Sequence, residues 1–494
     1  MPLSGQPNRF VNVSPRFGVS YDTFGTGKTI VRGGWGAYRF AGQYNDYASS
    51  LTTAQAVQNY NLPGQKSVLL SQIGSLAPTK CTTPPCAVSG SQNGLDASDY
   101  GVPLTYAYNL TIDQKLKWNM ILDVAYVGSS SSEILDNGET IQGSGFTGLA
   151  DRNKAPVGSF FKADPNTGIT SQNPENLGTN PDGTKTGNVA ADYHPYGYAY
   201  GTAGVYQSES NQYSNYNGLQ AALIKQTGKL SYDVNFTWSK TLGTVLQSDP
   251  FNVRSSNYGV ASIDRPFVFN SSYSYQVGKL HFDNAWINGT LGGWTISGIS
   301  TWQAGGSLLA ELGNSVPNFG LSESYTSSSL PAAASAAGIV STGIGTATYY
   351  GTDAALAIRP VLTCNPGHDL AKYQRLRVGC FAAPAVGAQG GEAWPYLSMG
   401  SYFDNDLALY KAFPIKEHQS VQLRVSAFNW LNHPLPEFSS ANQVTLRYLV
   451  DYNSKAISLN NNSNGGTVSN FGTMDTKTGG PYERIIELNV KYLF

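Results

Sequence analysis

The sequence predicts an all-β fold, an antiparallel transmembrane β-barrel of about 11–12 long strands with long external loops and short periplasmic turns. Three observations predict it. Segments of strict period-2 alternation recur along the chain, the links between them alternate between short and long, and the last segment places an apolar residue at every second position up to Phe494.

The first observation rests on side-chain direction. Successive strand residues point to opposite faces, so alternation gives a segment one apolar and one polar face. Leu230, Tyr232, Val234, Phe236 and Trp238 alternate with Ser231, Asp233, Asn235 and Thr237. Tyr106, Tyr108, Leu110 and Ile112 repeat the pattern, as do Met120, Leu122, Val124 and Tyr126. Eleven strands are expected, near 14–22, 28–40, 104–115, 119–129, 213–225, 229–240, 265–277, 292–304, 404–413, 420–431 and 482–494. Composition agrees: 54 Gly and 31 Tyr suit many turns and strands. Charged residues are only 13%, about half the share of a soluble domain. A net charge of −1 gives no electrostatic footprint for nucleic acid. No apolar run reaches the ~18 residues of a transmembrane helix, which leaves strands as the way to cross a bilayer.

The second observation concerns the links. Those after odd-numbered strands are short, as at Thr23–Gly27, Leu116–Trp118 and Gln226–Gly228, with 278–291 the least convincing. Those after even-numbered strands run over 41–103, 130–212, 305–403 and 432–481. Such lengths are unusual in a compact soluble domain and usual outside a membrane barrel. With short turns on the periplasmic side, the eleventh strand ends there. Trp118, Trp286 and Trp294 then fall near the periplasmic ends and Trp238 and Trp302 near the external ends, as interfacial girdles would. The loops are rich in Gly, Ser, Asn, Thr and Pro, as in 164–185, and are expected to bury no core of their own. Leu330–Ala337 is expected to form a short helix.

The third observation is the last strand. Counting back in twos gives Phe494, Tyr492, Val490, Leu488 and Ile486, all apolar. A lipid-facing strand ending in Phe resembles the assembly signal of outer-membrane barrels.

Several stretches together resemble the TonB-dependent receptors of the Oar-like type. They are Ser14-Pro-Arg-Phe-Gly-Val-Ser-Tyr-Asp22, Gly27-Lys-Thr-Ile-Val-Arg-Gly-Gly-Trp-Gly36, Asp123-Val-Ala-Tyr-Val-Gly-Ser129, Ser214-Asn-Tyr-Asn-Gly-Leu-Gln220, Leu291-Gly-Gly-Trp-Thr-Ile-Ser-Gly298 and Phe428-Asn-Trp-Leu-Asn-His-Pro434. The resemblance runs from residue 14 to the end. It implies a 22-stranded outer-membrane barrel plugged by an N-terminal domain that imports a bulky solute. The sequence carries no recognisable signal peptide, TonB box, plug or first half of such a barrel. It reads as an N-terminal extension (1–13) followed by the C-terminal portion of the barrel (14–494), a truncated product. The partners implied are outer-membrane lipid, the barrel-assembly machinery, an unknown solute, and TonB only if a plug is supplied elsewhere. No cofactor and no nucleic acid are implied.

Chemistry-bearing residues are sparse. Cys81 with Cys86, and Cys364 with Cys380, are local pairs that read as two disulfides; zinc is the rival, with His368 as the lone nearby imidazole. Gly25-Thr-Gly-Lys-Thr29 lacks the first Gly and the following helix of a phosphate loop, so a hairpin turn is expected. His194, His281, His368, His418 and His433 have no ligand partner at i+4 and no triad context, so no enzyme is expected. Arg32, Asp113, Asp233, Gln422 and Arg424 are candidates for the lumen face, where they would tune solute selection. The alternative is a secreted or surface all-β adhesin or carbohydrate-binding protein, for which long Tyr- and Asn-rich loops would supply stacking and hydrogen bonds.

Overall fold

The computed structural model describes residues 11–39, 92–95, 101–136, most of 150–244 and 258–278, then 285–307, 350–353, 361–382, most of 399–438, and 443, 447–450, 457–460, 471–476 and 483–494. Eleven long strands form one meander: β1 (Arg16–Asp22), β2 (Thr29–Arg39), β3 (Leu104–Lys115), β4 (Met120–Asp136), β5 (Val205–Lys225), β6 (Leu230–Thr244), β7 (Phe267–Gln276), β8 (Thr295–Gln303), β9 (Tyr402–Lys416), β10 (Gln419–Phe428) and β11 (Ile485–Leu493). Each pairs antiparallel with the next, so spatial order follows chain order. Every one of the eleven expected segments is a strand of this sheet. Among the described residues no helix is long and apolar enough to cross a membrane.

The registers turn eleven local alternations into two continuous faces. Gly33 lies opposite Leu110, Leu110 opposite Tyr126, Tyr126 opposite Leu219, Leu219 opposite Trp238 and Trp238 opposite Phe267. Directly paired residues share a face, so this row is apolar throughout. The far end continues it: Leu409 opposes Val425, which opposes Leu488. Three residues along, and so on the opposite face, a largely polar row runs Asp113, Asp123, Ala222, Asn235, Asn270, Thr301 and Asp404. A one-residue slip in any strand would break both rows.

The apolar face is bare. Leu110, Tyr126, Phe236 and Trp238 are all exposed, Trp238 by 64%. So are Leu488, Val490, Tyr492 and Phe494, and β11 is exposed along its whole length. A continuous exposed apolar surface of this extent is an interaction surface. Aromatic residues collect at its two borders. At the long-loop border Trp35 stacks on Tyr106 and Phe267 meets Trp302 edge-on. At the short-turn border Trp294 meets Phe413 edge-on and Tyr492 stacks on Phe494. Trp294 to Trp302 spans about 26 Å along a strand, or ~20 Å across a bilayer at the tilt of a barrel strand. That is close to the ~25 Å band of outer-membrane barrels.

Glycines on this face admit rings from the neighbouring strand. A Cβ on Gly128 would lie 2.3 Å from the Tyr108 ring, and one on Gly298 would lie 2.5 Å from the Tyr273 hydroxyl. Each Tyr is directly paired with its Gly and lies over it.

The tight turns are where the sequence places them. Gly25 and Gly27 take positive φ, and the Asp22 carboxylate accepts the amides of Phe24 and Gly27 at 3.4 and 2.6 Å. The loop amides that a phosphate would need are thus engaged by the chain's own carboxylate. Trp118 and Asn119 (φ 58° and 55°) turn β3 into β4, and Gly228 (φ 90°) turns β5 into β6.

Three expectations need correction. Strands extend beyond the expected 9–13 residues: β4 has 17, β5 has 21, and β6 and β9 have 15 each. Their added length carries the pairing out past the apolar band. The link 278–291 is not a simple turn, because it contains the helix Ala285–Leu291. The segment 164–185 does help to bury a core: Ala155, Phe160 and Tyr193 are buried together, with Leu177 and Ala190 packed against them. Cys364 and Cys380 are bonded, which removes Cys364 from any zinc site. Cys81, Cys86, His281 and the expected helix Leu330–Ala337 lie outside the described residues.

Candidate functional site: the polar face and its external module

The five residues proposed for the lumen share the polar face. Arg32 opposes Thr111, two residues before Asp113 and on its face, Asp233 opposes Ser272, and Gln422 and Arg424 oppose Lys491 and Asn489. They fall into two groups. In the first, Arg32 bridges Asp113 at 2.6 Å and lies 3.7 Å from Asp123 on the next strand. One guanidinium between two carboxylates leaves a net negative patch.

The second group lies around a cavity of about 460 Å³ that spans β5 to β10, from the short-turn ends of β5 and β6 to the long-loop end of β10. Asp233, Ser272, Ser297, Asp406, Arg424 and Ser426 line it from the polar face, with Ile299 and Phe428 adding apolar wall. Arg424 Nε donates to Ser426 Oγ at 3.1 Å, which fixes the guanidinium along the wall. Small Ser side chains on adjacent strands make the hollow; the two carboxylates and the guanidinium give it charge of both signs. Such a lining suits a polar solute that both donates and accepts hydrogen bonds. Gln422 lies two residues beyond Arg424 and outside this lining. Asp404 and Asp406 share the face, and Tyr402 donates to Asp404 at 3.2 Å.

Beyond the strands on the long-loop side stands a compact module built from 150–204 and 350–353. Gly158 N donates to Tyr350 O, and Phe160 N to Gly351 O. The buried His194 joins the same two segments. Its Nε2 lies 2.7 Å from Asp353 Oδ2, and its Nδ1 meets Asn153 O. Both neighbours are acceptors, so the ring satisfies both only as a doubly protonated imidazolium. Burial alone would lower the pKa, but the hydrogen bond and charge of Asp353, with the Asn153 carbonyl, outweigh it and raise the value above 6.5; Lys154 opposes. Asp353 stands 159 residues from His194 in the chain, so no local spacing announces the pair. The module also exposes Tyr196 and Tyr198, the latter by 74%. Among the described residues no group of three or more His, Cys, Asp or Glu is placed to hold a metal.

The family model described as an outer membrane beta barrel domain matches residues 2–487. No curated protein matches the chain. Among solved structures, the outer membrane transporter YddB from Escherichia coli is similar at 9% identity with a TM-score of 0.39, over 98% of this chain and 40% of that one. The FrpB iron transporter from Neisseria meningitidis (F5-1 variant) is similar at 10% identity with a TM-score of 0.36, over 98% and 40%. The siderophore receptor PirA from Acinetobacter baumannii is similar at 10% identity with a TM-score of 0.35, over 98% and 41%. The chain thus spans about two fifths of the length of each.

Proposed function

This chain belongs to the outer membrane β-barrel domain family, and on that premise we propose that residues 14–494 form barrel wall of a TonB-dependent receptor of the Oar-like type that takes up a bulky solute. Its place is the outer membrane, where the bare apolar face meets lipid. The observation that carries the reading is the polar face held in register behind that lipid face. In this reading Arg32, Asp113, Asp233, Gln422 and Arg424 face the lumen, and the cavity bounded by Asp233, Asp406 and Arg424 is a waypoint for the solute. Leu488, Val490, Tyr492 and Phe494 serve as the strand that the assembly machinery reads. TonB engages only through a plug.

One observation favours a second reading, a surface protein that binds carbohydrate: Tyr196 and Tyr198 are presented on the external module with their rings open to solvent. A single experiment separates the two. Outer-membrane vesicles containing the chain are equilibrated with a panel of labelled oligosaccharides and metal chelates, beside Asp233→Asn with Arg424→Ala and beside Tyr196→Ala with Tyr198→Ala. The uptake reading expects binding to weaken about tenfold or more in the polar-face variant, since a lost charge-assisted hydrogen bond costs ~1.5–3 kcal/mol. Binding lost only in the tyrosine variant moves the function to the module.

A further inference from the structure

Lys411 is a charged residue on the wrong face. It lies between Leu409 and Phe413 on the apolar side of β9 and opposes Leu423, which opposes Val490. An ammonium there would sit in lipid near the short-turn border, at high cost unless partnered or snorkelled. Lys411 is instead 7% exposed. Its Nζ donates to the carbonyls of Gly289, of Gly292 at 2.5 Å and of Thr290 at 3.4 Å. These belong to the end of the helix Ala285–Leu291 and the residue just past it. A helix C-terminus leaves its last carbonyls unpaired and carries partial negative charge, so a buried cation is its natural partner. Aromatic rings close the contact: Nζ is 4.9 Å from the Phe413 ring centre and 5.8 Å from that of Trp294. Trp294 Nε1 also donates to Thr290 O at 2.6 Å. Gly293, with φ 75°, lets the chain turn from this clamp into β8.

Lys411 points out of the sheet, so the helix it holds lies on the outer surface, against the lipid face. No residue from Ala285 to Trp294 is charged. Ile287 and Leu291, four apart and therefore on one side of the helix, are 40% and 56% exposed. The carbonyls on Lys411 hold the end of this helix at the short-turn border of the apolar band, where Trp294 and Phe413 lie.

We propose that the helix Ala285–Leu291 is an interfacial membrane anchor, which beds Ile287 and Leu291 into the phospholipid leaflet on the short-turn side and is fastened to the barrel wall by Lys411. Continuity with the lipid face identifies the occupant as lipid rather than a protein partner. The inference needs only that the chain sits in a membrane, so it stands whether or not the uptake reading does.

The test uses the full chain folded into phosphatidylcholine–phosphatidylglycerol vesicles, its disulfide bonds kept. Ile287→Cys is labelled with bimane, and Thr26→Cys, at the exposed tip of the first turn, is the control. The expected result is quenching by brominated acyl chains at position 287 and none at 26, with a water-soluble thiol reagent about tenfold slower or more at 287. Equal reagent rates at both sites, or no bromine quenching at 287, overturn the proposal. Lys411→Met keeps the strand apolar and removes the clamp. The helix should then loosen, seen as a sharper spin-label spectrum at 287, while heat-modifiable gel mobility shows the barrel still folded. An unchanged spectrum in a folded Lys411→Met variant overturns the role given to Lys411.

Discussion

The imidazole of His194 sits between two acceptors, and that placement has a pH consequence. Its pKa in the folded chain lies above the ordinary value of 6.5, through Asp353 and the Asn153 carbonyl acting against burial and Lys154. A raised pKa means that the bond to Asp353 contributes fully below about pH 6.5 and is lost as pH rises through the folded value. The external module should therefore be tightest in mild acid and loosen toward alkaline pH. Amide exchange across 150–204 and 350–353, followed from pH 6 to 9 and corrected for intrinsic rates, checks this. His194→Gln should remove the pH dependence and cost ~2 kcal/mol of local protection, the worth of a hydrogen bond to a charged group. Protection that increases with pH would contradict the assignment.

At the scale of an element, β3 and β4 meet through Tyr108 and Gly128. The Tyr108 ring covers Gly128, and its hydroxyl donates to Asn217 at 2.7 Å, an oxygen that Tyr126 also reaches at 2.9 Å. Gly128→Val would expel the ring and break that bond. A cost of ~1–3 kcal/mol follows from overpacking, read as a shift in the urea midpoint of folding into vesicles. Gly128→Ala, which intrudes less, should fall between. These contacts also show what a sequence discloses. All eleven strands were legible because alternation is local: each of Leu230, Tyr232, Val234, Phe236 and Trp238 repeats one instruction. The common face of Arg32, Asp113, Asp233, Gln422 and Arg424 was legible for the same reason. His194 with Asp353 was not, because the pair is made by two loops meeting. The helix Ala285–Leu291 was hidden by its brevity, since two turns give too few repeats of a 3.6-residue period. Lys411 did carry a signal, a lone charge in the apolar series Leu407, Leu409, Phe413, but its partner could be found only in space.

At the scale of the molecule, two faces one residue out of phase decide how the chain behaves. Phe236 lies in the apolar row with Ala221 and Phe269, and its neighbour Thr237 lies in the polar row with Gln220 and Val268. An arginine at each position is the same chemical change on opposite sides of one strand. Phe236→Arg puts a charge into the apolar band two residues inside Trp238, where the cost in an outer-membrane barrel lies between the ~1 kcal/mol of the interface and the ~2–4 kcal/mol of the midplane. Thr237→Arg leaves its charge on the polar side, beside Gln220, and should cost little. Folding titrations into vesicles, read by heat-modifiable gel mobility, compare the two directly. A large loss for Phe236→Arg with a small one for Thr237→Arg follows if one face meets lipid and the other water. A soluble sandwich that buries Phe236 in protein would also penalise Phe236→Arg, but it would fold without vesicles. The decisive reading is therefore the lipid requirement of the unsubstituted chain together with the asymmetry between the two variants.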